Sequence, residues 1–250
     1  MRVTARIGAD DGPEVIELEP AYSFVVWTVR PLFRLFFRWR ITGLERIPPT
    51  GPAIFACNHI SYMDPLAQAY ALVRRRKRIR FFAKAELWKN PFLRFILRNA
   101  NQIPVERGSG EAGPVEGALT ALARGDGVVI YPEATITVNP DLSPMRGKTG
   151  VARVAIASGA PVVPVAVWGS HWVSPKGRVR KRRLFRMIFV TIGTPLSFAD
   201  LKGREEDPET LQDVTARIMS ELERLVRELQ KDYPGGAAVP PPLVRSKDAA

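Results

Sequence analysis

The chain has 250 residues, of which 37 are Lys or Arg and 25 are Asp or Glu, leaving a formal net charge of +12 and a pI near 10.3. Its 46% hydrophobic and 25% charged residues are close to the globular average, which excludes wholesale disorder and a polytopic membrane protein. One cysteine and two histidines exclude an internal disulfide, a cysteine-based zinc cluster and a multi-histidine metal site. The excess positive charge points to nucleic acid, anionic lipid or a phosphorylated substrate as a partner.

The N-terminal part of the chain divides into a polar segment and an apolar, arginine-striped segment. Residues 1–20 lack the basic and apolar regions of a signal peptide, and the uncharged stretch 21–29 is shorter than the ~20 residues of a membrane-spanning helix. Arg30, Arg34 and Arg38 then recur at every fourth position among Phe and Trp residues. We therefore predict amphipathic, membrane-associating helices over 21–46; the alternative is a helix packed on the protein core with its arginines outward.

Basic residues are concentrated in two further blocks, 71–110 and 142–199, and the second block contains no acidic residue. The densest runs within them, 74–78 and 178–186, lie beside apolar and aromatic residues, as suits an anionic membrane surface; solvated loops are the alternative. Nucleic acid is disfavoured as a partner because no RNP-like motif, zinc-finger spacing or helix-turn-helix accompanies the runs. We predict a peripheral or monotopic protein on the cytoplasmic face of the cell membrane.

Short apolar strands alternate with helical patterns through the rest of the chain. Strands are predicted at 53–57, 80–83, 103–105, 127–131, 161–167 and 188–192. Helices are predicted at 65–74, 86–99, 115–123, 149–158 and 211–229. This alternation predicts a single α/β domain over 47–233, with a mostly parallel central sheet flanked by helices. The Gly- and Pro-rich tail, 234–250, is predicted to be disordered.

The candidate catalytic pair lies where a predicted buried strand ends. His59 follows the strand 53–57, and Asp64 before Pro65 is typical of a helix start with Asp as the cap. A tight turn between them can bring the carboxylate onto the ring, fixing the tautomer and leaving Nε2 to take a proton from a hydroxyl. Simple helix capping by Asp64 and a structural role for His59 are the alternatives.

No convincing nucleophile accompanies this pair in the sequence. Cys57 lies inside the predicted strand, and Ser61 lacks the nucleophile-elbow pattern. A His–Asp pair without its own nucleophile would activate the hydroxyl of a substrate, so the predicted reaction class is transfer onto an alcohol. The second histidine, His171, has no acidic residue nearby in sequence, and we interpret it as structural.

Four ordered blocks of the sequence resemble the motifs of a known enzyme family. NHISYMDP at 58–65 resembles the NHxxxxDP block of the glycerolipid acyltransferases, the lysophosphatidic acid acyltransferase family, and AKAEL at 83–87 with PF at 91–92 resembles the segment that follows. IPVERG at 103–108 resembles the second motif, YPEATIT at 131–137 the third, and APVVPV at 160–165 the fourth. The resemblance extends over about residues 22–195.

The resemblance implies roles for individual residues of these blocks. His59 would be the general base, oriented by Asp64, and Arg107 of the second motif would help to hold a phosphate of the acceptor. Three further residues are expected to bind substrate or to organise the site: Asn58, Glu133 and Thr135. For Glu133, capping of the following turn is the alternative.

One motif departs from the family pattern. The third motif is usually FPEGTRS, whereas this chain has Ala134 and Ile136 where the family has Gly and a phosphate-binding Arg. We propose that Lys148, helped by Arg107 and Arg146, replaces that arginine, because bases and glycines there precede a helical pattern that could hold an anion. Ordinary turn geometry is the alternative explanation of the glycines.

The resemblance also implies the reaction. A fatty acyl group would move from acyl-CoA or acyl carrier protein, as co-substrate, to the hydroxyl of 1-acyl-glycerol-3-phosphate, giving phosphatidic acid without a metal or cofactor. The altered third motif leaves glycerol-3-phosphate, another lysophospholipid or a glycolipid open as acceptors. A non-catalytic protein that binds anionic lipid is the alternative from a different class. Arg outnumbers Lys, which fits a GC-rich bacterial genome.

Overall fold

The structure, a computed structural model, describes residues 31, 33–75, 78–105, 112–176 and 186–240. Seven strands lie in this part of the chain: β1 (Phe37–Thr42), β2 (Ala53–Cys57), β3 (Ile79–Lys84), β4 (Ile103–Val105), β5 (Gly127–Ile130), β6 (Val162–Trp168) and β7 (Arg186–Ile192). Five α-helices lie there: α1 (Asp64–Leu72), α2 (Pro91–Asn99), α3 (Ala112–Ala123), α4 (Gly150–Ser158) and α5 (Pro208–Asp232). No helix of these described ranges is both long and apolar enough to cross a membrane.

The strands form one sheet in the order β1-β7-β6-β2-β5-β3-β4. Strands β2 to β6 run parallel to one another, whereas β7 is antiparallel to β6 and β1 is parallel to β7. The prediction of a single α/β domain with a mostly parallel sheet is therefore confirmed. We call the edge at which β2 to β6 end the carboxyl edge; β1 and β7 begin at this same edge.

Both faces of the sheet are covered, which explains why the central strands are continuously apolar. Phe55 and Cys57 of β2 pack into one buried cluster, while Ile54 and Ala56 pack into the other. Helix α5 contributes to both clusters through one long apolar stripe, and its first turn is capped by Asp207, which accepts a hydrogen bond from the Thr210 N–H.

The predicted amphipathic helix over 21–46 is wrong at its C-terminal end. Residues 33–36 are helical, but Phe37–Thr42 form strand β1 and Leu44–Arg46 form a single 3₁₀ turn. Along β1 the half-buried residues alternate with exposed ones, so Arg38 and Arg40 lie on the exposed side of an edge strand. Residues 1–30, including Arg30, lie outside the described residues, and the membrane association of this segment stays a prediction.

The predicted disordered tail is also wrong in its first part. The carbonyl oxygen of Gly236 accepts a hydrogen bond from the indole N–H of Trp168 at 3.2 Å, and Val239 packs against the core. Residues 234–240 are therefore tied to the end of β6, because a buried indole N–H needs an acceptor. Residues 241–250 lie outside the described residues.

Candidate active site

The His59–Asp64 pair forms in the loop between β2 and α1, at the carboxyl edge of the sheet. His59 Nδ1 lies 2.9 Å from Asp64 Oδ2, the carboxylate is fully buried, and the imidazole keeps 16% of its side chain exposed. The same oxygen accepts the backbone N–H groups of Ile60 at 2.6 Å and Ser61 at 2.7 Å. Asp64 is the first residue of α1 rather than its N-cap, so its carboxylate turns back and fixes the histidine loop.

The second oxygen of Asp64 is held by a residue that follows β6. The Ser170 hydroxyl donates to Asp64 Oδ1 at 2.5 Å, and both residues are fully buried. The Ser61 hydroxyl lies 3.0 Å and 2.9 Å from the carbonyl oxygens of Ser170 and Ser174. Because β2 and β6 are parallel neighbours, the segments after their ends meet and clamp the carboxylate from both sides.

The imidazole of His59 is also positioned by its ring contact. The rings of His59 and Tyr131 stack with centroids 4.3 Å apart, and the Tyr131 hydroxyl donates to Gln68 Oε1 at 2.5 Å. Gln68 in turn donates to the carbonyl oxygen of Asn58. Burial raises the pKa of the Tyr131 hydroxyl well above its ordinary value, so this phenol stays a neutral donor.

Glu133 and Asn58 join the histidine loop to its neighbours. The carboxylate of Glu133 accepts the His59 N–H at 3.1 Å through Oε1 and the Met145 N–H at 2.9 Å through Oε2. Burial raises the pKa of Glu133, while these two donors act in the opposite direction. The Asn58 side chain exchanges hydrogen bonds with both backbone groups of Val167, at 3.1 Å and 2.8 Å. Both geometries suit residues that organise the site.

Neither nearby side chain with nucleophilic chemistry is presented to the site. Cys57 is fully buried at the end of β2, and burial raises the pKa of its thiol well above the ordinary value. The Ser61 hydroxyl is buried and lies within hydrogen-bond distance of two backbone carbonyl oxygens in the segment after β6. The second histidine, His171, is buried beside the rings of Trp168 and Trp172.

The predicted phosphate ligands are placed only in part. Arg107 lies outside the described residues, whereas Arg146 and Lys148 are exposed on the loop between β5 and α4. The backbone N–H of Lys148 donates to the Pro132 carbonyl oxygen at 2.9 Å, so it is already bonded within the protein. A side chain at Gly147 would come within 3.0 Å of Thr215 and Met219, so close packing on α5 explains this glycine.

Lys176 is a further cation beside the third motif, and no motif of the sequence indicates it. Its Nζ lies 3.4 Å from both the Thr135 hydroxyl and the Ile136 carbonyl oxygen, while the Ile136 side chain is buried. The Thr137 N–H donates to the His59 carbonyl oxygen at 2.8 Å, which attaches this stretch to the histidine loop. Lys176 therefore brings a charge beside the backbone of Ile136, the residue that stands where the third motif of the family has its arginine. The isolated bridge between Ser61 and Pro175, which positions Lys176, joins residues too far apart in sequence to be predicted.

No group of three His, Cys, Asp or Glu side chains that could hold a metal ion occurs in the described ranges. The side chains that the structure brings together here are an oriented imidazole, a buried carboxylate and the cation of Lys176. The arrangement can accept a proton from a bound hydroxyl and return it to a leaving group.

The chain is similar in sequence to known acyltransferases. A profile of the Acyltransferase family matches residues 38–168. The chain is 26% identical over 211 residues to 1-acyl-sn-glycerol-3-phosphate acyltransferase of Bacillus subtilis, a match covering 83% of this chain and 100% of that protein. It is 30% identical over 143 residues to lyso-ornithine lipid O-acyltransferase of Pseudomonas aeruginosa, covering 56% of this chain and 51% of that protein.

A solved structure has the same fold. The crystal structure of the 1-acyl-sn-glycerophosphate (LPA) acyltransferase PlsC from Thermotoga maritima superposes with a TM-score of 0.64 at 27% identity, covering 86% of this chain and 84% of that one. The chain spans only 40% and 39% of the length of two chloroplast relatives that it also matches.

Proposed function

The chain belongs to the Acyltransferase family, and from this premise we propose that it transfers a fatty acyl group from acyl-CoA or acyl carrier protein to the free hydroxyl of 1-acyl-glycerol-3-phosphate, giving phosphatidic acid. The names of the relatives from Bacillus subtilis and Thermotoga maritima support this acceptor. The observation that carries the proposal is the His59–Asp64 pair, held at 2.9 Å at the carboxyl edge.

Two features of the site favour a substrate hydroxyl as the nucleophile. Asp64 occupies Nδ1 of His59, so Nε2 is the nitrogen that can take a proton. Cys57 and Ser61, the side chains that could otherwise attack, are buried, and Ser61 is engaged with backbone carbonyl groups. Both points fit direct transfer between two substrates rather than a covalent acyl-enzyme.

In the proposed step, His59 Nε2 removes the proton of the acceptor hydroxyl as its oxygen attacks the thioester carbonyl carbon. A new C–O bond forms, and the tetrahedral intermediate collapses with cleavage of the C–S bond. The departing thiolate recovers the proton from His59 and leaves as a free thiol. Asp64 stabilises the transient imidazolium, and general base catalysis of this kind contributes about 10²- to 10⁴-fold in rate.

The acceptor phosphate is proposed to bind at the basic rim of the site. The sequence assigns this role to Lys148, Arg107 and Arg146, and we add Lys176 because its ammonium lies beside Thr135 and Ile136. Holding the phosphate orients the reacting hydroxyl toward His59, which converts binding into a productive geometry. Attachment to an anionic membrane would supply a lipid acceptor directly.

A second acceptor class is favoured by one specific observation. The third motif has Ala134 and Ile136 in place of Gly and Arg, and a relative of 30% identity is named for a lyso-ornithine lipid. The same chemistry on glycerol-3-phosphate, another lysophospholipid or a glycolipid is therefore the alternative. A protein that only binds anionic lipid would make no acylated product.

The test is an acyl-transfer assay with the purified full chain, labelled oleoyl-CoA and a panel of acceptors that includes lysophosphatidic acid, glycerol-3-phosphate and lyso-ornithine lipid. We expect labelled phosphatidic acid as the main product. His59→Ala should lose at least about 100-fold in rate with an unchanged melting temperature. Asp64→Asn should also lose activity, whereas Asp213→Asn on the exposed face of α5 should keep it. Full activity of His59→Ala would overturn the mechanism.

A further inference from the structure

The large apolar side chains that stay exposed among the described residues lie in segments that adjoin one edge of the sheet. The large hydrophobic residues that remain exposed are Leu35, Phe36, Tyr62, Leu66, Leu87, Phe92, Phe95 and Val138. They lie either just before β1 or in segments that follow β2, β3 and β5. Strands β2, β3 and β5 end at the carboxyl edge, and β1, which runs in the opposite direction, begins there. The segments after the first three strands and before β1 therefore adjoin this edge, where His59 lies.

The strongest feature of this side is helix α2. Its described side chains include no fully buried residue, and Phe92 and Phe95 expose 69% and 63% of their surface. Residues three apart are neighbours on the surface of an α-helix, so Phe92 and Phe95 stand side by side, about one turn apart. An aromatic pair this exposed is not explained by the core of the domain.

The charge around the two phenylalanines is positive. Lys89, Arg94 and Arg98 are exposed beside them, and no carboxylate of the described residues lies within ion-pair distance of any of the three. By contrast, Arg217, Arg224 and Arg227, which are exposed on α5, are each matched to a carboxylate of the same helix. Bases that have no carboxylate partner among the described residues, and that lie beside exposed aromatic residues, suit an anionic lipid interface, where long basic side chains reach the headgroups.

We propose that this surface, which we call the α2 docking face and define as Lys89, Phe92, Arg94, Phe95 and Arg98, inserts into the surface of an anionic bilayer. The face is distinct from the N-terminal segment 21–46 and from the basic run 178–186, from which membrane attachment was predicted. It begins at the carboxyl edge, so inserting it brings the mouth of the His59 site to the lipid headgroups. The inference rests on the proposed function only for the assumption that the acceptor is a membrane lipid.

A bilayer fits this face better than a protein partner does. The two phenylalanines project from a single helix, and a lipid interface accepts such side chains without a shaped pocket. The other exposed apolar residues, from Leu35 to Val138, lie in segments that adjoin the same edge, which suits one broad surface contact. An acidic protein, such as an acyl carrier protein, is the competing occupant that the experiment must separate.

The first experiment places a reporter on the face. Cys57 is the only cysteine and is buried, so Phe95→Cys introduces a single accessible thiol for an environment-sensitive fluorophore such as NBD. Vesicles of equal parts phosphatidylglycerol and phosphatidylcholine should shift the emission to the blue and increase it severalfold. The matched control, Arg227→Cys on exposed α5, should show no change. An unchanged signal at position 95 on protein that has sedimented with vesicles would overturn the proposal.

The second experiment removes the face. Phe92→Ser with Phe95→Ser should weaken vesicle co-sedimentation by about 10-fold or more. Arg94→Ala with Arg98→Ala should weaken binding to phosphatidylglycerol vesicles but not to pure phosphatidylcholine vesicles. Arg217→Ala with Arg227→Ala on α5 removes the same charge and should have no effect. Wild-type binding by both α2 variants would overturn the proposal, and so would an NBD response to acyl carrier protein in the absence of vesicles.

A final comparison separates this inference from the proposed reaction. With acceptor and donor dispersed in detergent micelles, the Phe92→Ser, Phe95→Ser variant should retain wild-type acyl transfer, because His59 and Asp64 are untouched. On vesicles it should lose activity in proportion to binding. If the wild type transfers no acyl group in either format but the reporter at position 95 still enters the bilayer, the proposed function fails and the docking face stands.

Discussion

The Ser170 hydroxyl lies 2.5 Å from Oδ1 of Asp64, on the carboxylate oxygen that His59 does not contact. The Asp64 carboxylate is thus held by donors on both oxygens, and the donor to Oδ1 comes from a segment 106 residues farther along the chain. A hydrogen bond to a charged, buried group contributes more than one between neutral groups. The orientation of His59 therefore depends on the segment that follows β6.

Ser170→Ala should slow acyl transfer without unfolding the protein. Loss of a hydrogen bond to a charged group costs about 1.5–3 kcal/mol, so we expect kcat/KM to fall by about 10-fold or more. The matched control is Ser158→Ala, whose hydroxyl donates to a backbone carbonyl in α4. An unchanged kcat/KM in Ser170→Ala would contradict the dependence of His59 on Ser170.

Glu133→Gln should damage the site because a glutamine has one acceptor oxygen where the structure uses two. The His59 N–H and the Met145 N–H each bind a different oxygen of Glu133. Leaving either donor without a partner costs about 1–3 kcal/mol, and we expect lower kcat together with lower stability. Glu86→Gln, at an exposed position before α2, should change neither quantity.

The wild type and Glu133→Gln should differ in how their free energy of unfolding depends on pH. The pKa of Glu133 lies above its ordinary value of 4.5 in the folded protein, because burial disfavours the carboxylate. The folded chain therefore binds this proton more tightly than the unfolded chain, and the wild type loses stability relative to Glu133→Gln as the pH rises from 4.5 through the folded pKa. Urea unfolding at several pH values measures the difference, which would be constant if Glu133 did not titrate in this way.

The part of the structure that sequence patterns predict is the part that local apolar runs encode. Strands β2 and β4 were predicted to the residue, and the strand with His59 after it fixed the place of the site. Strand β1 was predicted as helix because a spacing of four residues fits two structures. Residues four apart lie on one face of a helix, and, since four is even, they also lie on one side of a strand. Arg34 and Arg38 fit one face of a helix, but Arg38 and Arg40 equally fit the exposed side of a strand.

The remainder of the site depends on contacts between distant segments. Ser170 reaches the histidine loop, and Lys176 reaches the loop after β5, because β6, β2 and β5 are neighbours, which is a property of the assembled sheet. The antiparallel direction of β7 is likewise invisible in a single apolar run. For Ser170 and Lys176, the signal in the sequence was that both follow the end of a predicted strand, because the segments after parallel neighbouring strands converge.

Lys176→Ala should weaken acceptor binding more than donor binding. The ammonium of Lys176 lies beside Thr135, at the rim where the acceptor phosphate is proposed to bind. We expect the KM for lysophosphatidic acid to rise by about 10-fold, as for loss of a charge-assisted contact, with little change in the KM for acyl-CoA. Lys148→Ala should have a similar effect if both lysines share the phosphate.

A neutral acceptor and a remote lysine provide the controls for this prediction. With monoacylglycerol, which has no phosphate, Lys176→Ala and the wild type should react at the same rate. Lys202→Ala changes an exposed lysine that lies beyond the end of β7 and should leave every kinetic constant unchanged. Equal weakening of donor and phosphate acceptor by Lys176→Ala would contradict the phosphate role.

Gly169 should be irreplaceable because of both its conformation and its surroundings. It has φ +90°, and a Cβ at this position would lie 2.3 Å from the Met187 carbonyl oxygen. Gly203 has a similar φ of +92° but nothing within 4 Å of its Cβ position. Gly203→Ala therefore measures the conformational cost alone, about 1 kcal/mol in the free energy of unfolding. Gly169→Ala adds a clash with backbone and should cost several times as much.

Because Gly169 precedes Ser170, any backbone shift that relieves this clash also moves the Ser170 hydroxyl, the donor to Asp64. Refolded Gly169→Ala should therefore also lose activity, whereas Gly203→Ala should not. Equal stability of the two variants in urea unfolding would show that the chain can move Met187 freely, and the proposed dependence of His59 on this segment would then fail.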